Sequence, residues 1–120
     1  MAVQQIKGDD YVMGYDQDSN HVSFSGTIRL QSAEDYAPMT VLLQTAHDHA
    51  AGKQAVLTLD FGSLQFLNSS GINMISKFVI AARKENRIAM KVLGNKEIYW
   101  QQKSLMNLQK LWASVEIQIQ

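Results

Sequence analysis

The residues best placed to do chemistry sit in one short phrase, Asn68-Ser69-Ser70-Gly71, between a β-rich apolar run and residues at helical spacing. A helix start leaves backbone donors unpaired and carries the positive end of the dipole, so Asn68 or Ser69 can accept from those donors as a cap. On local sequence alone the phrase is a capped helix following a central strand. Other chemistries lack their residues. His47-Asp48-His49 places its imidazoles two apart, on different faces of a helix, and reads as solvated helix surface, not as a metal site. Asp60 and Ser69 could be imagined as a hydrolase pair, but no Gly-x-Ser-x-Gly elbow occurs and the reading puts no histidine near Asp60. Gly62 to Gly71 has neither the glycine density nor the Lys of a phosphate-cradling loop. No cofactor or metal is expected.

Composition narrows the classes further. The 120 residues suit one domain, taken as 1–120, and the 46% hydrophobic content suits a globular core. Eleven Lys plus Arg balance eleven Asp plus Glu, which removes the basis for sequence-independent nucleic-acid or anionic-membrane binding. Cysteine is absent, which excludes disulfides and thiol catalysis and is compatible with a reducing compartment. No run approaches the ~20 apolar residues of a membrane span, and Met1 to Tyr11 does not read as an export signal, so a cytoplasmic protein is expected.

The elements that must position the phrase follow from periodicity. Tyr11–Tyr15 and His21–Leu30 read as strands joined by a turn at Asp16–Asn20, because Val22, Phe24, Gly26 and Ile28 alternate with polar neighbours. Tyr36, Met39, Leu43, Ala46 and Ala50 then mark one face of a helix. Pro38 lacks a donor and suits only a first turn, so the regular helix is expected to start near Tyr36–Ala37, after a loose capping turn at Ser32–Asp35, and to end at Gly52. Ala55–Phe61 reads as a strand buried on both faces. After the phrase, Ile72, Ile75, Val79 and Ala82 define a second helix closed by Arg83 and Lys84, and Ile88–Leu93 a further strand. Asn95 is expected to cap a third helix over about Lys96–Met106, with Ile98 and Leu105 inward and Asn107 ending it, before a last strand through Val115, Ile117 and Ile119. Trp100 and Trp112, with Tyr99 and Met106, are expected to fill the core, and any found exposed would widen a docking surface. The order is ββαβαβαβ, an α/β mixed sheet with helices as crossovers.

The stretch Leu57-Thr58-Leu59-Asp60 through Phe66-Leu67-Asn68-Ser69-Ser70-Gly71-Ile72 resembles the core signature of STAS domains, the family of bacterial anti-sigma-factor antagonists. Gly26-Thr27-Ile28 resembles that family's early Gly-x-Leu, and Leu108 to Ile117 its terminal Leu-x-x-Leu-Phe and strand. The resemblance implies a STAS-like fold and makes Ser69 the phosphoacceptor, with Ser70 and Gly71 supporting the turn. Asn68 stands where the family usually has Asp, and Arg29 where its early strand typically ends in an acidic residue. An amide keeps the capping acceptor while dropping the charge.

The function so implied is a phosphorylation-controlled interaction domain and not an enzyme. Its partner-binding residues are Asn68, Ser69, Ser70, Gly71, Asn73 and Arg29. The implied partners are an anti-sigma-like serine kinase or another regulatory protein, with a PP2C-type phosphatase to reset the switch. A phosphoserine adds about −1.5 to −2 charges at pH 7. A non-phosphorylated scaffold or small-ligand sensor module is the alternative, and a small enzyme using Asp60 and Ser69 a third reading.

Overall fold

A computed structural model describes residues 3–120. It begins with a strand absent from the sequence reading, β1 (Val3–Lys7), which pairs antiparallel with β2 (Tyr11–Asp16). The segment VQQIK carries adjacent glutamines and no clean alternation, so only its neighbour makes it a strand. β2 turns through Asp16–Asn20, where the Asp18 amide donates to the Asp16 carboxylate and Asn20 takes a left-handed φ of 54°. β3 (His21–Ile28) completes the antiparallel part of the sheet.

From β3 onward the chain alternates strand and helix: α1 (Ala33–Lys53), β4 (Val56–Leu67), α2 (Ser69–Glu85), β5 (Ala89–Gly94), α3 (Gln101–Leu111) and β6 (Glu116–Ile119). The expected mixed α/β class is therefore observed, with one strand added in front. The sheet order is β1-β2-β3-β4-β5-β6, and β3 to β6 run parallel. Each crossover advances one strand in the same direction, so right-handed connections put all three helices on one face. α1 packs on α2, and α2 on α3.

That one-sided cover corrects the expectation for β4. Leu57, Leu59 and Phe61 are buried, whereas Val56 is exposed and Thr58 and Asp60 are half-exposed on the bare side of the sheet. The core lies between the sheet and the helices, where Met13, Tyr15, Val22, Phe24 and Val92 meet Tyr36, Leu43, Ile75 and Val79. Phe24 and Phe61 stack there with centroids 4.8 Å apart.

Helix boundaries differ from the reading for local reasons. Ser32 and Asp35 form a full capping box, so α1 begins at Ala33 and places Pro38 in its second turn. Gly52 lies inside the helix with open space around it, and Gln54 takes the left-handed C-cap at φ 55°. α3 begins five residues later than expected. Asn95 spends its carboxamide oxygen on the Glu97 amide, which closes a turn instead of starting a helix, and Asn107 lies within α3.

Candidate functional site

β4 is the strand that delivers the candidate site, and it is irregular. Its pairing with β3 shifts register between Ser23 and Ser25 and again between Gly26 and Thr27. Buried side chains consequently fall at Leu57, Leu59 and Phe61 and then at Leu64 and Leu67, so each bulge resets which residues face the helices. Bulges leave carbonyls without ladder partners, and α3 supplies donors for them. Fully buried Gln101 donates through Nε2 to the Phe61 and Leu64 carbonyls, while its Oε1 accepts from the Asn95 amide at 2.7 Å. The Trp100 indole donates to the Gln65 carbonyl at 3.0 Å. Neither role carries a periodic signal, so sequence reasoning missed both.

Stapled in this way, β4 ends on Leu67 and hands the chain to Asn68, the N-cap of α2. Both ends of the Asn68 carboxamide are engaged. Its Oδ1 accepts from the Gly71 amide at 3.0 Å and from the Tyr36 hydroxyl at 2.7 Å, and its Nδ2 donates to the Leu30 carbonyl at 2.9 Å. Its backbone N–H also donates to the Ile28 carbonyl. One carboxamide thus ties the start of α2 to α1 and to the segment leaving β3. This gives Asn in place of Asp a physical reason, since a carboxylate would set an acceptor against the Leu30 carbonyl. Tyr36 was legible as a core residue, but its hydroxyl role was not. Burial is the largest influence on that phenol and raises its pKa above the ordinary value of 10.0, which keeps it a donor.

Ser69 is exposed at the first position of α2, Ser70 is half-buried and Gly71 is buried. A Cβ on Gly71 would collide with the Leu67 side chain and crowd the Tyr36 hydroxyl, so the close approach of α2 to β4 requires glycine. Asn73 is exposed one turn on. Arg29 is exposed on the segment after β3 and holds its guanidinium 5.2 Å from the centre of the Phe66 ring. The two carbonyls flanking Arg29, those of Ile28 and Leu30, are the ones that hold Asn68. The six residues singled out from sequence therefore gather at the junction of β3, β4 and α2.

Beside them a groove of about 550 Å3 opens between α1 and α2. Tyr36, Val41, Met74 and Phe78 line it with apolar surface, and Ser70, Asn73 and Lys77 form part of its polar edge. Of the large residues expected in the core, Trp112 is buried and Trp100 is half-buried, whereas Tyr99 is 100% exposed and Met106 is exposed.

Two expectations about titratable groups are corrected. His47 is not solvated surface. It is 1% exposed, packs edge-on against Phe78 and makes a 3.0 Å contact through Nδ1 with Asp48. The apolar stripe of α1 is wide enough to include it beside Leu43 and Ala50. Asp48 has its pKa lowered, first by the hydrogen bond from His47 and then by that from Gln44. Asp60 does have a histidine neighbour, because the pairing of β3 with β4 sets His21 Nε2 3.1 Å from its Oδ2. Its other oxygen accepts from the Gly62 amide in the bulge at 2.8 Å, and neither contact involves Ser69. Among the described residues, no group of three or more His, Asp or Glu is arranged to hold a metal ion, and no helix is long and apolar enough to cross a membrane.

No family model matches the chain, and no curated relative matches it significantly. Solved structures do. SiaC of Pseudomonas aeruginosa superposes with a TM-score of 0.72 at 17% identity, covering 100% of this chain and 98% of its own. Apo-SiaC from the same organism gives 0.73 at 18%, covering 100% and 99%. The complex of the diguanylate cyclase SiaD with its activator SiaC, also from Pseudomonas aeruginosa, gives 0.72 at 14%, covering 98% and 99%. At such identity the likeness speaks to architecture: the chain has the fold of SiaC along its length, the STAS-like α/β class that the sequence resemblance implied.

Proposed function

We propose that this chain is a docking regulator whose surface around Ser69 engages a regulatory enzyme, and that phosphorylation of Ser69 switches the contact off. The observation that carries the reading is an exposed hydroxyl on a rigid frame, beside a groove that offers a partner apolar area. The frame is rigid because Asn68, Gly71 and Tyr36 lock the start of α2 before any partner arrives. A phosphate there leaves the fold intact, since the neighbouring helix amides tolerate an anion. Its effect falls on the interface, where desolvation and like-charge repulsion cost several kcal/mol, or tens- to thousand-fold in affinity. The role is binding rather than catalysis.

SiaC is the activator of a diguanylate cyclase, which supports a diguanylate cyclase as this chain's partner and second-messenger synthesis as its output. The writer of the mark is a serine kinase of the anti-sigma type, and a PP2C-type phosphatase removes it. A small-ligand sensor is the second reading, favoured by a groove volume within the ~300–1,000 Å3 range of ligand sites.

The test combines a purified diguanylate cyclase from the source cell with wild-type, Ser69→Ala and Ser69→Asp chains, and measures the intact mass of wild type after incubation with ATP and lysate. The switch predicts that wild type and Ser69→Ala bind, that Ser69→Asp fails, and that one phosphate is added at Ser69. Equal binding by all three with no added mass overturns it in favour of an unmodified scaffold or sensor.

A further inference from the structure

We propose that Arg29 is the internal receptor for a phosphoryl group on Ser69, its guanidinium moving from the face of Phe66 to pair with the phosphate. The inference rests on the reading that Ser69 carries the mark and assigns that mark its first binding partner within the chain.

Arg29 is poised for this because nothing holds it firmly. Among the described residues no carboxylate lies within ion-pair distance of its guanidinium, and its side chain makes only the cation–π contact with Phe66. Phe66 is itself 41% exposed, so that contact is weak and solvent-screened. A charge-assisted, bidentate Arg–phosphate pair is stronger, and transfer from ring to phosphate runs downhill. The two backbones that carry these residues are hydrogen-bonded neighbours. The carbonyls of Ile28 and Leu30 accept from Asn68 at 3.2 and 2.9 Å, which sets Arg29 across from the peptide that carries Ser69.

The sign of the charge matters as well. An acidic residue at position 29 would repel a phosphate. Arginine reverses that, so the modified chain neutralises part of its own mark. Phosphorylation then changes two features of the surface together. It adds an anion at Ser69, and it withdraws a cation from Phe66, leaving a bare aromatic ring where the unmodified chain offers a positive charge. A partner with an acidic group over Arg29 loses its contact even if it never touches the phosphate.

The experiment uses the full chain with phosphoserine installed at position 69 during translation, so that no kinase is needed. 31P NMR follows the titration of the phosphate in three backgrounds: otherwise wild type, Arg29→Gln, and Lys77→Gln as a cation elsewhere on α2. Pairing predicts a midpoint about half a pH unit lower in wild type than in Arg29→Gln, with Lys77→Gln close to wild type. Equal midpoints in wild type and Arg29→Gln, or an equal rise in Lys77→Gln, overturn the assignment. Because the phosphate is placed without a kinase or a partner, this result is independent of the binding comparison that tests the switch.

Discussion

Replacing Asn68 by alanine removes, from one side chain, three bonds that belong to three different elements. The N-cap bond to Gly71 contributes about 1 kcal/mol. Loss of the donor to the Leu30 carbonyl costs about 1 kcal/mol more, and leaving the Tyr36 hydroxyl without its acceptor inside a buried residue costs about 1–2 kcal/mol. The sum, about 3–4 kcal/mol, is a large share of the ~5–15 kcal/mol that holds a domain together, and lowers the Tm by roughly 10 °C or more. Urea unfolding of wild type, Asn68→Ala, Tyr36→Phe and the double variant measures it. Tyr36→Phe alone should cost about 1 kcal/mol, and the double variant should fall short of additivity by about the same amount, because both remove one hydrogen bond. A loss below about 1 kcal/mol for Asn68→Ala, or strict additivity with Tyr36→Phe, would refute the picture of Asn68 as the junction of β3, α1 and α2.

Other substitutions read other parts of the frame. Asn68→Asp keeps the cap but faces the Leu30 carbonyl with a second acceptor, and should lose about 1–2 kcal/mol at pH 7 by urea unfolding. Gln101→Leu strips the Phe61 carbonyl of its side-chain donor and leaves that of Leu64 only the 3.3 Å bond from the Trp100 indole, and a loss of about 2–3 kcal/mol is expected in the same assay. Pro38→Ala restores a donor to the second turn of α1 and should raise stability by about 1 kcal/mol or more, read as a higher denaturation midpoint at unchanged slope. Asp48 has a depressed pKa in the folded chain, so its contribution is present above the ordinary Asp range and lost as pH falls through the folded value. Asp48→Asn should therefore differ from wild type at pH 7, by less than about 1 kcal/mol for so exposed a carboxylate, and converge with it only once the pH has fallen below the lowered folded value.

What was legible in the sequence was what repeats. The apolar faces of α1 and α2 and the alternation of β3 are set by burial against one sheet face, and burial writes its period into the residues. The Asn68 cap was legible because capping is local. The illegible parts depend on contacts distant in sequence. β1 is a strand only because β2 lies beside it, and the bulges of β4 are stable only because Gln101 and Trp100 reach back to them. His47 was misplaced because a polar residue type was weighed above the width of the stripe it sits in. Gln54 takes the left-handed cap of α1 two residues after Gly52, so residue type misplaced that end, whereas Arg83 and Lys84 do lie in the last turn of α2.

Tyr36 belongs to two places at once, for its ring walls the cleft between the first two helices while its oxygen steadies the turn that displays Ser69. Whatever wedges that cleft and displaces the ring must loosen the turn. By linkage, whatever reshapes the turn must alter how tightly the cleft is filled. Occupancy and modification are for that reason two handles on a single lever, with a phenol as its fulcrum.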